Sequence, residues 1–561
     1  MHGTSDPVSC QGRVSTRNIK HFGIDMTTQQ STEILLVYVD PVLFPFAQPY
    51  GPLIIQGHLK AKGLSSSVLL PFQAQDPATR LKRALEIEQP RIVGFSFRNF
   101  DSAGLGRGEE AHTHLPSLEM LVDVCRHTLP QTLTILGGGG FSTDPVSILE
   151  ATRAHLGFVG PAENEFVAFC AEYLTTPVGQ VVDASEIASR FPSSIINTHG
   201  QLLRREHSKG RLNWLSNEYL PYEFHDEAVD FGEITGGSFP VRTKTGCSMA
   251  CSYCVIPQIE PLSLRPILHV IQDITSLSKR GLGDRIFIAD GEFNLPNQDR
   301  CLHICRAIKS SFNQEIKWRC YVCPSEVSES LPDEMFSAGC VGAGLAVDSF
   351  SDPVRRGMGK RGDSHTAITS VEMFLASGIE TSFTLLFGAP GESLETLRHS
   401  ARIARKLVEM GAHVSLTAGI VIYPGTPLSL QIKDGDNALY VWNSAHKAAR
   451  PTFCSPASPD HVYGVLKEEF HGLDRVHWTS QVTDRNRDFF QALANTLCLV
   501  YEGRPQEAID ALETGEWVRD ANPNCMLLKA KAMRSCGRSV EAQEVLAGII
   551  KSQAVKREQP K

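Results

Sequence analysis

From residue 33 onward the chain alternates short apolar runs with stretches of helical periodicity. Glu33-Ile-Leu-Leu-Val-Tyr-Val-Asp40 is such a run, ended by a turn residue, and it predicts a buried strand. A helical stretch near Leu53 to Lys62 stops at Gly63, the usual C-terminal signal. The pattern then predicts a strand at Ser67–Leu70, a helix near Ala78–Glu88, a strand at Arg91–Ser96 and a helix near Leu115–His127. The strand Thr132–Leu136 runs into four glycines, Gly137–Gly140, followed by a helix near Val146–Ala151 and the strand Leu156–Val159. Strands alternating with helices predict a doubly wound parallel sheet, and ligands of such sheets bind outside the carboxyl ends of the strands. This α/β domain spans 31–175. Residues 1–30, rich in Ser, Thr, Gln and Gly, are predicted to be disordered, and 176–235 reads as a linker.

Beyond Pro240 the alternation continues at a longer period. Strands are predicted to end near Gly246, Ala289, Val322, Val347, Phe387 and Ile422, each pair separated by one helical segment. Six β/α units over 236–440 make a partial (β/α)6 barrel, whose chemistry belongs at the carboxyl face of the strands. Residues 441–486 are rich in aromatic and His side chains and are left as an unassigned connector.

The tail carries a repeat. Glu502-Gly-Arg-Pro-Gln-Glu-Ala-Ile-Asp-Ala-Leu512 realigns with Cys536-Gly-Arg-Ser-Val-Glu-Ala-Gln-Glu-Val-Leu546 at the 34-residue period of tetratricopeptide (TPR) helix pairs. TPR-like helical repeats are therefore expected over 487–561, with apolar seams at Leu497, Ala508 and Leu512 and at Leu528, Ala542 and Leu546. Two repeats are too few to stand alone, so the unit is expected to lean on the barrel or on the segment before it.

Composition narrows the setting. At 561 residues the chain exceeds one hydrophobic core, and 42% hydrophobic with 21% charged residues is the balance of an ordinary globular protein. A net charge of −8 argues against a general nucleic-acid binder. No apolar run approaches the roughly 18 residues of a membrane span, and the polar first 30 residues lack a signal-peptide pattern. Fifteen cysteines, odd in number and clustered, fit a reducing, cytoplasmic location.

The chemistry starts at Thr245-Gly-Cys247-Ser-Met-Ala-Cys251-Ser-Tyr-Cys254, where C-x3-C-x2-C offers three thiolates from one loop. A [4Fe–4S] cluster takes four ligands, so three leave one iron open to a group that is not protein. A zinc site would need a fourth Cys or His at short range, and none lies near. Cys320 and Cys323, and Cys301 and Cys305, could form a second cluster or a redox pair, but they read better as small apolar fillers.

These cysteines, with the motifs after later strands, make the chain resemble the cobalamin (B12)-dependent radical S-adenosylmethionine (SAM) enzymes. The nearest part of that family is the methyltransferase branch that includes tryptophan 2-C-methyltransferase. The resemblance covers residues 33 to about 430 and rests further on Asp290-Gly-Glu292, Asp348-Ser-Phe-Ser-Asp-Pro-Val-Arg-Arg356-Gly-Met-Gly-Lys360, Gly388-Ala-Pro-Gly-Glu392 and Tyr423-Pro-Gly-Thr-Pro-Leu428. It implies that Cys247, Cys251 and Cys254 hold the cluster and that Tyr253 lies near the adenine of SAM. It further implies that Glu292 receives the SAM amino group and that Asp348, Ser349 and Arg356 contact ribose and the methionine carboxylate. Gly388, Pro390 and Tyr423 would line the cofactor by backbone.

In the first domain the resemblance points to a B12-binding-like fold. It rests on Tyr50 and Gly51, on Ser96, Arg98 and Asn99, on Gly138, Gly139, Gly140 and Phe141, and on Gly160 and Glu163. The glycines are expected to admit the corrinoid's nucleotide tail. The Asp-x-His-x-x-Gly motif for the lower cobalt ligand is absent from the chain, so bound cobalamin is expected base-off and His-off. A plain Rossmann redox domain is the other reading of this segment, although the G-x-G-x-x-G-to-helix context is missing.

The implied activity is methyl transfer from SAM through cobalamin to an unactivated or aromatic carbon of a specialised-metabolism substrate, a small molecule or a peptide. An external one-electron reductant such as flavodoxin or ferredoxin would serve it, with no nucleic acid and no membrane span. Two alternatives use the same residues differently: a cyclase or rearrangement enzyme without net methyl transfer, and a TPR scaffold with a degenerate enzyme core.

Overall fold

The computed structural model describes residues 32–42, 46–100, 113–176, 184–198, 201–204, 219–312, 316–432, 438–440, 451–478, 485–515, 517–518 and 522–547. The segment 1–30, expected to be disordered, lies outside the described residues, as do parts of the 176–235 and 441–486 stretches.

The first sheet is built from β1 (Ile34–Val39), β2 (Ser66–Leu69), β3 (Ile92–Phe97), β4 (Leu133–Gly137), β5 (Leu156–Phe158), β6 (Ser194–Thr198) and β7 (Gln201–Arg204). Its order is β2-β1-β3-β4-β5-β6-β7. The first five strands are parallel, as the alternation predicts. All six residues of β1 are buried, because helices cover both faces. Leu35, Val37 and Val39 pack toward the helices Pro77–Glu88 and Leu115–Thr128, while Ile34, Leu36 and Tyr38 share a core with Tyr50–Ala61 and Glu163–Leu174. The stretch read as a linker instead supplies β6 and β7, which pair antiparallel at the sheet edge. It also supplies the helix Asp226–Thr235.

The second sheet begins with β8 (Phe239–Val241). A two-residue antiparallel ladder between β9 (Lys244–Thr245) and β10 (Ser263–Leu264) then pinches the base of the cysteine loop. The main strands continue with β11 (Ile286–Ile288), β12 (Trp318–Val322), β13 (Cys340–Asp348), β14 (Glu380–Phe387) and β15 (His413–Ala418). A small antiparallel sheet of β16 (Ile420–Val421), β17 (Leu439–Tyr440) and β18 (Thr452–Phe453) closes the last loop. A seventh parallel strand, β19 (Val476–Trp478), pairs with β15, so the order is β19-β15-β14-β13-β12-β11-β8. The expected six units are therefore seven strands, the last drawn from the unassigned connector. Three residues with a single His between two apolar neighbours carry too little periodicity to announce a strand. Trp318, Cys320, Val322, Leu345, Phe383, Leu385, Val414 and Leu416 face the helices and form the barrel's core. Cys301 and Cys305 lie in that same core with Cys320, in agreement with their reading as fillers, whereas Cys323 sits with the cysteine triad.

The tail holds helices Arg485–Tyr501, Pro505–Thr514 and Pro523–Ser535, with 539–547 also helical. Gly503 and Gly537, 34 residues apart, both end a helix with positive φ, at +75° and +77°. Leu497, Ala508, Leu512, Leu528 and Ala542 are buried as the seam predicts. Where the tail leans differs from expectation: its seam merges with the core of the first α/β domain and with helix Asp226–Thr235, not with the barrel. The Tyr501 hydroxyl and the Lys531 ammonium both donate to Asp230 on that helix.

Candidate cofactor site at the carboxyl ends of the strands

The three cysteines lie where β8 and β9 deliver the chain to the carboxyl face. Gly246 has φ +66°, and a Cβ there would run into the Glu260 carbonyl, so only glycine lets the loop fold back on its own exit. Cys247, Cys251 and Cys254 share an apolar nest with Met249, Tyr253, Leu295 and Cys323. The segment after β13 fastens the loop from one side: Ser252 N donates to Met358 O at 2.9 Å, and Ser252 Oγ to Gly357 O at 3.2 Å. From the other side Leu428 N donates to Ser252 O at 2.8 Å. Burial pushes the Cys251 thiol up to about 12, with Lys360 pulling against it. Among the described residues no three His, Cys, Asp or Glu side chains are grouped to hold a single metal ion.

Charged groups surround this nest. Asp348, at the end of β13, adopts φ +62° and accepts from Tyr253 OH at 2.5 Å and from Thr384 Oγ1 at 3.4 Å. Lys360 Nζ lies 2.6 Å from Asp348 Oδ2. Across the nest, Gly291 brings the loop after β11 against Cys247, where an added Cβ would lie 3.9 Å from Cys247 Cβ. Its neighbour Glu292 has a buried Oε2 without a hydrogen-bond partner. Burial, with Asp348 adding to it, pushes the Glu292 carboxyl up to about 8, although Lys360 and Lys244 oppose the shift. Lys244 is itself buried; its Nζ lies 3.3 Å from Asp290 Oδ2 and donates to Glu292 O. Asp290 Oδ1 in turn accepts from Thr243 N at 2.9 Å. The Asp290–Glu292 loop is thus held by Lys244, while one buried oxygen of its carboxylate has no hydrogen-bond partner.

Several residues read from the sequence sit elsewhere than expected. Arg356, expected at a carboxylate, is exposed on helix Asp352–Gly357, and the cation at the site is Lys360. Asp348 is engaged by the protein itself through Tyr253 and Lys360, and Ser349 is buried, its Oγ accepting from Ser351 N at 3.1 Å. Gly388, with φ +93°, has its open side filled by Cys454, whose Sγ would lie 2.5 Å from an added Cβ. Its N–H donates to Glu392 Oε2. The Pro390 carbonyl abuts Gly357, joining this turn to the segment that holds the cysteine loop. The Tyr423 carbonyl is taken up within its turn by Thr426 Oγ1 at 2.8 Å. Lys244, Arg355 and Lys360 were passed over in the sequence, where a lone basic residue gives no sign of burial. For Lys244 the available signal was its place three residues before the first cysteine.

In the first domain Arg98 stands at the carboxyl end of β3, its Nη1 3.0 Å from the buried Asp40 carboxylate. Gly51 and Ser96 adjoin, an added Cβ lying 3.7 Å from Ser96 Oγ. Three of the four glycines are pressed against the chain's own backbone. A Cβ on Gly138 would come 2.5 Å from Phe97 O, on Gly139 3.3 Å from Arg98 O, and on Gly140 2.8 Å from Asn99 C. They let the chain's own 97–100 segment close against a short helix, Gly139–Thr143. Phe141 is fully buried against Gly157, a core position. Tyr50 packs on Tyr222 with ring centroids 6.1 Å apart, and burial pushes its hydroxyl up to about 12, with Arg265 of the barrel domain pulling down. Gly160, φ +74°, meets the barrel: an added Cβ would lie 2.5 Å from Ile259 O, five residues beyond Cys254. The Glu163 carboxylate reaches Arg242 electrostatically across the same joint. Tyr50, Gly160 and Glu163 therefore couple the first domain to the cysteine-loop segment.

The donor set fits an iron–sulfur cluster: three thiols in one loop, an unpartnered buried carboxylate oxygen facing the same nest, and a buried ammonium that offsets thiolate charge. Residues 241–404 match the model of the radical SAM superfamily. The chain is 24% identical over 447 residues to tryptophan 2-C-methyltransferase of Streptomyces laurentii, covering 69% of this chain and 73% of that one. It is 27% identical over 169 residues to the ribosomal protein uS12 methylthiotransferase RimO of Clostridium kluyveri, only 28% of this chain and 37% of that one. The fold is similar to that of the radical SAM methyltransferase TsrM from Kitasatospora setae, solved with tryptophan substrate and a SAM analogue. That match has TM-score 0.70 and 21% identity, over 86% of this chain and 99% of that one. It is also similar to the cobalamin-dependent radical SAM enzyme OxsB, with TM-score 0.60 and 14% identity, over 93% of this chain and 81% of that one. With its cysteine loop, its two parallel sheets and these relatives, the chain carries a radical SAM domain over residues 241–404 and shares the fold of the cobalamin-dependent enzymes TsrM and OxsB.

Proposed function

We propose that the chain is a cobalamin-dependent radical SAM C-methyltransferase acting on an unactivated or aromatic carbon of a small-molecule substrate. The observation that carries this reading is the cysteine triad set beside Glu292, Asp348 and Lys360, with the segment after the triad meeting Gly160 of the first domain. When bound, the cluster, SAM and the corrinoid supply the radical and methyl-carrying chemistry, and the protein's part is placement and exclusion of water. Cys247, Cys251 and Cys254 would hold the cluster. Glu292, with one carboxylate oxygen unpartnered, would accept a hydrogen bond from the SAM amino group. Arg98 would stand at the corrinoid face of the first domain. The missing lower-ligand motif supports base-off, His-off binding.

The likeness to an enzyme named for tryptophan methylation supports an aromatic substrate over the reading without net methyl transfer. The nest of buried charges around an intact triad speaks against a degenerate scaffold. A cytoplasmic setting with an external reductant such as flavodoxin or ferredoxin belongs to the same reading. Among the described residues no helix is long and apolar enough to cross a membrane.

The test is anaerobic purification followed by reaction with methyl-labelled SAM, hydroxocobalamin and L-tryptophan. The expected result is a brown protein with about four irons per chain, a base-off corrinoid spectrum, and label in an indole product beside S-adenosylhomocysteine. Replacing the three cysteines by Ala should abolish the iron and all SAM turnover. Unchanged iron and turnover in that variant would refute the triad's role. SAM turnover without S-adenosylhomocysteine would favour the alternative reaction.

A further inference from the structure

Lys360 and Asp348 are an ion pair taken almost wholly out of water, with side chains 4% and 5% exposed. Both are fixed by the same buried guanidinium. Arg355 donates to Val347 O at 2.9 Å and Ser349 O at 3.1 Å, flanking Asp348, and to Arg361 O at 2.8 Å, beside Lys360. Lys360 N donates to Arg355 O at 2.9 Å. The chain carrying Lys360 lies along the cysteine loop: an added Cβ on Gly359 would be 2.8 Å from Ala250 O, and Arg361 Nη2 donates to Ser248 O at 3.2 Å. Asp348 holds the loop directly, through the hydroxyl of Tyr253 between Cys251 and Cys254. Burial disfavours the lysine's charge, but the Asp348 carboxylate beside it outweighs that and keeps Lys360 an ammonium.

Two opposite charges are therefore held rigidly beside three thiols, in a medium where a charge acts far more strongly than in water. We propose that Lys360 and Asp348 act as a charge pair that sets the reduction potential of the iron–sulfur cluster, Lys360 raising it and Asp348 lowering it. This rests on the reading of Cys247, Cys251 and Cys254 as cluster ligands. Reduction adds one electron to the cluster and breaks no bond. A nearby ammonium stabilises that added negative charge, and a carboxylate opposes it. Both are positioning residues in this role.

The experiment is a dithionite titration of the anaerobically purified full chain, followed by electron paramagnetic resonance and iron analysis. Lys360→Met should move the midpoint potential more negative and Asp348→Asn more positive, while Lys360→Arg should stay near the parent. The double variant should fall between the two singles. A merely structural role predicts no such opposition of sign, so two shifts in one direction, or none with iron content intact, overturn the inference. If Lys360→Met alone does not fold because Asp348 is stranded, the double variant carries no unpaired charge. It must then lie more negative than Asp348→Asn, and equal potentials overturn the inference. A parent protein with no iron and no signal on reduction would instead sink the cysteine reading beneath it.

Discussion

At the scale of single residues, the site is decided by which charges are buried. Glu292 and Glu392 both have a buried oxygen without a partner. Burial pushes Glu392 up to about 7, against the pull of the Gly388 and Ala389 N–H groups. A carboxyl raised in the folded state stabilises the fold below the unfolded value, and that stability is lost as pH rises through the folded value. Stability should therefore fall between about pH 4.5 and 8. Glu392→Gln should flatten the part of this slope below about pH 7, with a span of up to about 3 kcal/mol, leaving the contribution of Glu292. Urea unfolding at a series of pH values measures it; an unchanged slope would place the Glu392 carboxyl in water. Arg356 and Lys360 make the same point from the cationic side. Four residues apart and both basic, they differ only in that the backbone turns one outward and one onto Asp348.

At the scale of elements, glycine has two uses that one letter does not distinguish. The run Gly137–Gly140 reads as a cradle for a ligand, yet a Cβ on Gly138 or Gly140 would strike the backbone of residues 97–100. These glycines bring the loops after β3 and β4 together so that Arg98 can stand at the carboxyl end of β3. Gly160 serves in the same way, against Ile259 of the other domain. Gly160→Ala forces both a left-handed φ and a backbone clash, and should cost about 1–3 kcal/mol. Because Ile259 follows the cysteine loop, the variant should also purify with less iron than Gly63→Ala, whose Cβ would meet nothing. Equal iron in the two variants would show that the joint does not support the cysteine loop.

At the scale of the whole molecule, the tail belongs to the first domain. Phe489, Leu493, Leu497, Ala508 and Leu528 complete a core shared with Ile34, Leu59 and Phe231. Removing residues 487–561 should therefore expose that core and leave the protein insoluble, rather than yield a soluble enzyme impaired only in substrate docking. A gentler probe is Asp230→Ala, which strands the Tyr501 hydroxyl and the Lys531 ammonium and should cost about 1–3 kcal/mol. Its thermal midpoint should drop, and limited proteolysis should release the tail first. A truncated chain that stays soluble and folded would refute the shared core.

The sequence by itself determined what depends on neighbours along the chain. The alternation of β1 to β5, the helix stop at Gly63, the thiolate triad and the buried seam of the tail all follow from local periodicity and spacing. Tertiary structure alone decided what depends on which surfaces meet. It made β6 and β7 of a supposed linker and β19 of an unassigned stretch, because strands this short form only when a sheet edge is there to pair with them. It chose Lys360 over Arg356, turned Asp348 toward Tyr253, and sent the tail to the first domain. Burial and electrostatic pairing join residues distant in sequence, and no local pattern encodes which of two similar side chains the fold will enclose.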